Sequence, residues 1–164
     1  MKGANRHFGK RLSMACLIAA ALPHAGHAAA TLADGTWLVI ERCGDNSSTK
    51  DPKLKAGYDR QTQLSVDKGH ISGHDRTVRK RDGAVTNIAY DGAIDGTKIT
   101  LTGTGLRSDN KQPWTYAYEG SVTADGHAEL AGAIYQRKEG DEKPVKLRAC
   151  SMTFLAPKDA ADSK

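Results

Sequence analysis

Apolar and polar residues alternate along most of the chain after residue 34, with the period of two that is typical of half-buried β-strands. In one of the clearest segments, Tyr58, Thr62, Leu64 and Val66 share one parity and most of the intervening residues are polar. Turn signals of the Asp-Gly and Lys-Gly type separate several of these segments. No segment shows a convincing helical period. The predicted strands span 35–43, 58–67, 70–79, 84–94, 98–106, 113–122, 128–137 and 145–155.

The number and spacing of these strands predict the fold class. Eight short strands joined by tight turns favour an all-β fold, an eight-stranded antiparallel up-and-down β-barrel. A two-sheet β-sandwich is the alternative. Several strands carry an interior glycine, which allows the bends of a curled sheet. The polar segments 44–56 and 107–112 are predicted to be exposed loops, and 44–56 to be largely disordered.

The first 30 residues differ in composition from the rest. A basic segment, 1–11, precedes an eleven-residue apolar run from Leu12 to Leu22, followed by Pro23 and by small residues with A-x-A-like cleavage sites. The run is shorter than the roughly 20 residues that a membrane-spanning helix needs. We therefore predict a cleaved signal peptide at 1–30, a single barrel domain at 31–156 and a disordered tail at 157–164. The predicted localisation is periplasmic or secreted.

Net charge narrows the class of partner. The chain has 24 Lys and Arg against 19 Asp and Glu, but four of the basic residues and none of the acidic ones lie in the first 30 residues. The remainder is nearly neutral, so nucleic acid is not an expected partner. One face of the strand at 98–106 carries Lys98, Thr100, Thr102 and Thr104, which argues against an outer-membrane barrel and a membrane span.

Two cysteines remain once the predicted leader is removed. We predict that Cys43 and Cys150 form a disulfide bond, because exported chains meet an oxidising environment. In a closed meander the first and last strands are antiparallel neighbours, and pairing the cysteines places Glu41 opposite Met152. The side of the sheet that carries Cys43 is then apolar except for Glu41, as expected of a barrel interior.

The sequence offers little catalytic or metal-binding chemistry. It contains no G-x-S-x-G motif and no Gly-rich phosphate loop, and most carboxylates stand in turns. His70 and His74 are about 13 Å apart if they lie on one strand, too far to share a metal ion. We therefore predict no catalytic residue, no metal and no cofactor, and a protein that is not an enzyme. An enzyme would need a polar cluster formed by Glu41 with His70 or His74.

Aromatic residues at alternate strand positions are the best candidates for a ligand-binding wall. They fit a packed core equally well. A barrel of eight strands has room for one small ligand if its interior is incompletely filled. The candidate ligand-binding residues are Trp37, Tyr90, Trp114, Tyr116 and Tyr118.

A basic segment supplies a second candidate contact. Four positive charges, Arg76, Arg79, Lys80 and Arg81, fall within six residues. A solvated turn explains this pattern, and contact with an anionic partner is the functional interpretation.

The segment Gly35-Thr36-Trp37 resembles the G-x-W signature of the calycin barrels, the lipocalins and avidins. In that superfamily the Trp closes one end of the barrel and packs against a basic residue near the last strand. Arg148 is the candidate here, although pairing the cysteines places it at the opposite end from Trp37. The resemblance, which extends to small periplasmic barrel proteins, implies a barrel with a non-catalytic binding role.

These observations predict an exported, non-catalytic binding protein that carries a small apolar ligand. The alternative is a protein-binding module, such as an inhibitor of an envelope hydrolase, that acts through the loops 44–56 and 107–112. The partner is then a small apolar molecule in the first case and an envelope protein in the second.

Overall fold

The computed structural model describes residues 31–79, 83–108, 110–137 and 142–155, without the side chains of 53–54 and 110–112. The predicted signal peptide, the tail at 157–164, Lys80 and Arg81 lie outside these residues. The elements in chain order are β1 (Gly35–Cys43), α1 (Pro52–Lys55), β2 (Tyr58–Asp67), β3 (His70–Val78), β4 (Val85–Asp95), β5 (Lys98–Arg107), β6 (Asn110–Val122), β7 (Ala128–Gln136) and β8 (Val145–Leu155).

The eight strands form one closed antiparallel barrel in which each strand pairs with the next and β8 pairs with β1. This confirms the predicted up-and-down barrel and excludes the sandwich. The prediction of a loop at 107–112 is wrong, because Arg107 pairs with Asn110 and the two strands meet in a tight hairpin. Contrary to prediction, the segment 44–57 is ordered and contains one helical turn, which begins at Pro52 because proline suits the first position of a helix.

The junction between β1 and β8 has the register expected from the cysteines. Cys43 is bonded to Cys150, the Cα atoms of the two residues are 4.1 Å apart, and Glu41 lies opposite Met152. The predicted disulfide bond is therefore confirmed. Because such bonds persist in oxidising surroundings, this one suggests that the protein works outside the cytoplasm.

The barrel interior is apolar over much of its length, beginning at one of its two ends. We call the end where β1 begins the Trp37 end, and the end where β1 finishes the Cys43 end. At the Trp37 end the indole N–H of Trp37 donates a hydrogen bond to the carbonyl oxygen of Ala33 (2.9 Å), and Leu32, next to Ala33 in the chain, is buried. The apolar core extends from this end to the middle of the barrel, and its side chains with no exposed surface include Val39, Leu64, Ile71, Ile99, Leu101, Met152 and Phe154.

One junction of the barrel is paired over a much shorter length than the others. β2 and β3 are in register only from Asp67 opposite His70 to Ser65 opposite Ser72, whereas β3 and β4 are paired over all nine residues of β3. At the end of the short pairing Gly73 packs so closely on Leu64 that a Cβ atom at Gly73 would lie 2.5 Å from the Leu64 Cδ2. We call the unpaired lengths, 58–64 of β2 and 73–78 of β3, the β2–β3 seam.

Helix contributes little to this structure. The helical turn α1 has four residues, and among the described residues no helix has the length and apolar character to cross a bilayer.

Candidate functional site

A group of charged and phenolic side chains occupies the barrel interior near the Cys43 end. We call it the Arg60 cluster. Glu41 on β1 has no exposed surface, and the side chain of Arg60 on β2 is only 12% exposed. Buried charges are stable in proteins only when they are paired, so the contacts within this group decide its properties. The cluster consists of Glu41, Tyr58, Arg60, Asp75, Tyr90, Tyr116 and Tyr118.

Strand alternation points these side chains inward. Arg60 stands two residues from Tyr58 and four from Leu64 on β2, so all three lie on the interior face. Asp75 stands four residues from buried Ile71 on β3 and faces inward for the same reason. The inward charges of β1, β2 and β3 thus meet beside the β2–β3 seam.

Arg60 is the centre of the cluster. Its Nη2 atom lies 2.5 Å from Glu41 Oε2 and donates a hydrogen bond of 2.5 Å to the hydroxyl oxygen of Tyr90. Its Nη1 atom lies 3.4 Å from Asp75 Oδ2, and its guanidinium carbon lies 5.7 Å from the centre of the Tyr116 ring. One cation therefore bridges two carboxylates and contacts two phenols.

Two polar atoms of this arrangement have no hydrogen-bond partner. Arg60 Nε and Asp75 Oδ2 are both buried, and the 3.4 Å contact of Asp75 Oδ2 with Arg60 Nη1 is an ion pair without the geometry of a hydrogen bond. Along the β2–β3 seam, the contact between Arg60 and Asp75 is therefore one of charge attraction.

Glu41 has two further partners. The hydroxyl of Tyr118 donates a hydrogen bond to Glu41 Oε1, and the hydroxyl of Tyr58 donates one to Oε2 over 3.4 Å. Together with Arg60, these donors occupy both carboxylate oxygens, which explains how a carboxylate can be fully buried.

The surroundings fix the protonation of the phenols and the guanidinium. Burial, reinforced by the charge of Glu41, raises the pKa of Tyr58 and Tyr118 well above the usual value. Burial also raises the pKa of Tyr90 and Tyr116, against the opposing charge of Arg60. These tyrosines therefore stay neutral at physiological pH.

Burial and the neighbouring groups shift the pKa of the Arg60 guanidinium in opposite directions. Burial acts to lower the pKa of its guanidinium. The neighbouring groups, of which Tyr90 and Glu41 have the largest effects, together raise this pKa by more than burial lowers it, so it lies above the usual value. Arg60 is therefore permanently charged. Neither the phenols of the cluster nor this guanidinium exchanges a proton near neutral pH, so they are suited to holding structure and poorly suited to acid–base chemistry.

The five aromatic residues predicted to bind a ligand do not form one wall. Tyr90, Tyr116 and Tyr118 meet in the cluster, with the ring centres of Tyr90 and Tyr116 5.9 Å apart. Trp114 is half-buried, and the guanidinium of Arg107 lies 5.5 Å from its ring centre. Trp37 lies four residues from Glu41 along β1, about 13 Å away, in the apolar end. Ligand binding by these residues stays a prediction.

The loop between β1 and β2 is held in one conformation by Arg148. The Nη1 atom of Arg148 on β8 donates hydrogen bonds to the carbonyl oxygens of Gly44 (2.8 Å), Lys55 (3.2 Å) and Ala56 (2.8 Å). The guanidinium carbon also lies 5.4 Å from the ring centre of Tyr58. Arg148 therefore binds the loop at the Cys43 end of the barrel and is remote from Trp37. The packing of Trp37 on a basic residue that the calycin resemblance implies is not formed with Arg148.

Further hydrogen bonds fasten the loop along its length. The backbone N–H of Asn46 donates to the carbonyl oxygen of Lys55 (2.7 Å), and that of Ser47 donates to the carbonyl oxygen of Leu147 (2.9 Å). The N–H of Gly57 donates to Asp45 Oδ1 (3.1 Å). These bonds explain why a segment of polar composition is ordered, against the sequence-based prediction.

The histidines of β3 lie on the outer face. His70 and His74 are both exposed, and His70 Nε2 lies 2.8 Å from Asp91 Oδ1. Neither His lies on the inner face with Glu41, so the predicted grouping of Glu41 with His70 or His74 is not formed.

Among the described residues, one group of three metal-ligating types has atoms that lie within 4.8 Å of one another: Glu41, Cys43 and Cys150. Both sulfur atoms are in the disulfide bond and the carboxylate is bound by Arg60, so the group does not offer the free thiolates that bind metal ions.

The basic segment is only partly described. Arg76 is exposed on β3, and the backbone of Arg79 closes a turn through a 2.9 Å hydrogen bond from its N–H to the Ala84 carbonyl oxygen. Contact of Arg76, Arg79, Lys80 and Arg81 with an anionic partner stays a prediction.

The closed antiparallel barrel is consistent with a calycin-like fold. Comparison of the chain with family models, with curated proteins and with solved structures found no match.

Proposed function

We propose that this chain is an exported, non-catalytic binding protein whose ligand is another protein, bound at the Cys43 end of the barrel. The observation that carries the proposal is the exposed loop 44–57, which is ordered by Arg148 and by hydrogen bonds to β8. The periplasm is the compartment that fits a disulfide-bonded domain with the predicted leader.

An ordered loop is an advantage in protein recognition. A flexible loop loses conformational entropy on binding, at about 0.5–1.5 kcal/mol for each side chain that becomes fixed, and a preorganised loop avoids part of this loss. Asp45, Ser47, Ser48 and Lys50 are exposed on a backbone that is already fixed. Inhibitors of hydrolases use such rigid exposed loops, so an envelope hydrolase is the proposed class of partner.

The interior supports the same proposal. From the Trp37 end to its middle, the barrel is occupied by apolar side chains that have no exposed surface. At the Cys43 end the hydroxyls of Tyr90 and Tyr118 are bound to Arg60 and Glu41, so an apolar ligand would have to displace a charged network.

Carriage of a small apolar molecule is the second proposal. The convergence of Tyr90, Tyr116 and Tyr118 beside the β2–β3 seam supports it, since the seam is the place where the wall has the fewest strand contacts. Native mass spectrometry of the purified exported protein separates the two proposals. Protein binding predicts the bare polypeptide mass, and a retained small molecule would favour the carrier.

Site-specific photocrosslinking in the producing cell tests the first proposal. A photoreactive residue in place of Ser48, in the loop, is expected to give a covalent adduct with a discrete protein. The matched control replaces Thr97, an exposed residue in the turn between β4 and β5 at the Trp37 end, and is expected to give none. Equal adducts from both positions, or none from Ser48, would contradict a specific partner at the loop.

A further inference from the structure

In the tripeptide His74-Asp75-Arg76 an acidic residue stands between two residues with hydrogen-bond donors, but its side chain lies on the other face of the sheet. Alternation along β3 turns Asp75 into the barrel, where Arg60 Nη1 lies 3.4 Å from its carboxylate. His74 and Arg76 remain exposed together on the outer face. The strand therefore separates two hydrogen-bond donors from the acid that stands between them in the chain.

These two donors border a depression in the outer face of β3, β4 and β5. Its volume is 370 Å³, within the range of small-molecule sites. Ala89 lies at its centre, because His74 and Thr104 are the cross-strand partners of Ala89 on either side and Arg76 pairs with Asn87. The small side chain of Ala89 between longer neighbours explains the depression.

The outward polar side chains that line this depression carry donors and no carboxylate. A guanidinium, an imidazole, an amide and a hydroxyl come from Arg76, His74, Asn87 and Thr104, and the lining residues Asp75 and Ile88 point their side chains inward. Asp91 lies two residues beyond Ala89 on the same face, and its carboxylate is paired with His70 over 2.8 Å, toward the Trp37 end.

We propose that this depression binds the phosphate or sulfate group of a small soluble molecule about the size of a sugar phosphate. A tetrahedral oxyanion accepts several hydrogen bonds at once, and a guanidinium beside neutral donors matches that need. The remaining volume holds the rest of the molecule. This site is independent of the protein-binding loop, which lies between β1 and β2.

Titration of the ¹⁵N-labelled protein tests the proposal at constant pH and constant ionic strength. The probes are glucose 6-phosphate, inorganic phosphate, inorganic sulfate and glucose. Saturable shifts are expected for the amides of 74–76, 87–89 and 104 with glucose 6-phosphate and with both inorganic ions, and no shifts with glucose.

Two matched variants separate a specific site from general charge attraction. Arg76→Gln is expected to weaken glucose 6-phosphate binding about tenfold, since a charge-assisted hydrogen bond is lost. Arg42→Gln removes the same charge from an exposed arginine on β1 and is expected to leave the affinity unchanged.

Three results would overturn the proposal. They are equal losses in the two variants, shifts with glucose equal to those with glucose 6-phosphate, and Arg76-dependent binding to phosphatidylglycerol vesicles without binding of the soluble phosphates. The last result would assign the surface to a lipid headgroup. Both substitutions are on the outer face, and an unchanged amide spectrum outside the site shows that each variant is folded.

Discussion

Replacement of Arg60 is the most informative perturbation of this barrel. In Arg60→Met the carboxylate of Glu41, which has no exposed surface, loses the cation 2.5 Å from its Oε2 atom. Removing one partner of a buried ion pair destabilises a protein by about 3–5 kcal/mol, because the other charge stays buried without compensation. The Arg60 side chain is only 12% exposed, so solvent screening reduces this value little.

The expected loss is a large part of the stability of a domain of this size. Native domains are stable by roughly 5–15 kcal/mol. With an m-value of about 1.5 kcal/mol per M in urea, a loss of 3–5 kcal/mol lowers the unfolding midpoint by about 2–3 M. Urea unfolding followed by circular dichroism, with the disulfide bond intact, measures this shift directly.

Two control variants decide whether the buried charge is the cause. Arg42→Met removes a cation that lies 3.6 Å from Asp59 with both side chains mostly exposed, and we expect a loss below about 1 kcal/mol. The double variant Glu41→Gln/Arg60→Met removes the fully buried pair and leaves Asp75 without its cation, as Arg60→Met also does, and is expected to be more stable than Arg60→Met by at least about 1 kcal/mol. The reasoning is refuted if Arg60→Met loses no more stability than Arg42→Met, or if the double variant recovers nothing.

Three further predictions concern the covalent bond, the phenols and the strand contacts. Replacing Cys43 and Cys150 by Ala should lower the free energy of unfolding by about 4–5 kcal/mol, since the bond spans 107 residues; a loss below 1 kcal/mol in urea unfolding would contradict this. The four tyrosines of the Arg60 cluster have folded pKa values above the unfolded value of about 10, so their contribution to stability should be constant below pH 10 and be lost as the pH rises above it; tyrosinate absorbance at 295 nm from these four of the five tyrosines should then rise together with the loss of circular dichroism, and an earlier rise that corresponds to more than one tyrosine would refute the assignment. Gly132→Ala should destabilise by about 1–3 kcal/mol because its Cβ would overlap the carbonyl oxygen of Ala117, whereas Gly44→Ala meets only an ordinary contact of 3.7 Å and should unfold at nearly the wild-type urea concentration.

The fold could be predicted from the sequence because strand alternation and the cysteine pair give independent evidence. The predicted bounds of β1, β2 and β8 agree with the structure at both ends. Pairing Cys43 with Cys150 fixed the register of the closing junction, including the position of Glu41 opposite Met152. Period-two patterns are local, and a disulfide bond adds the long-range constraint that they lack.

Arg60 and Asp75 were missed, although a signal for both exists in the sequence. Arg60 shares the parity of Tyr58 and Leu64, and Asp75 shares the parity of Ile71. A single charge in a polar-rich strand is normally placed in solvent, and its burial becomes plausible only when an opposite charge such as Glu41 is known to face it. That information depends on register across β1, β2 and β3, which one strand cannot supply.

The order of the loop 44–57 could not be predicted for a similar reason. Its polar composition is typical of disorder, and the side chain that orders it, Arg148, is about a hundred residues away in the chain. Such a contact becomes visible only after the barrel has brought β1 and β8 together.

The short β2–β3 junction has a consequence for the folding of the chain. If that junction is ignored, the strands form a continuous ribbon from β3 through β8 to β1 and β2, so the hairpin of β1 and β2 is attached to the rest of the barrel mainly through β8. Among the strands, β8 is the one farthest from this hairpin in the chain, so the barrel closes through a non-local pairing of the kind that makes folding slow.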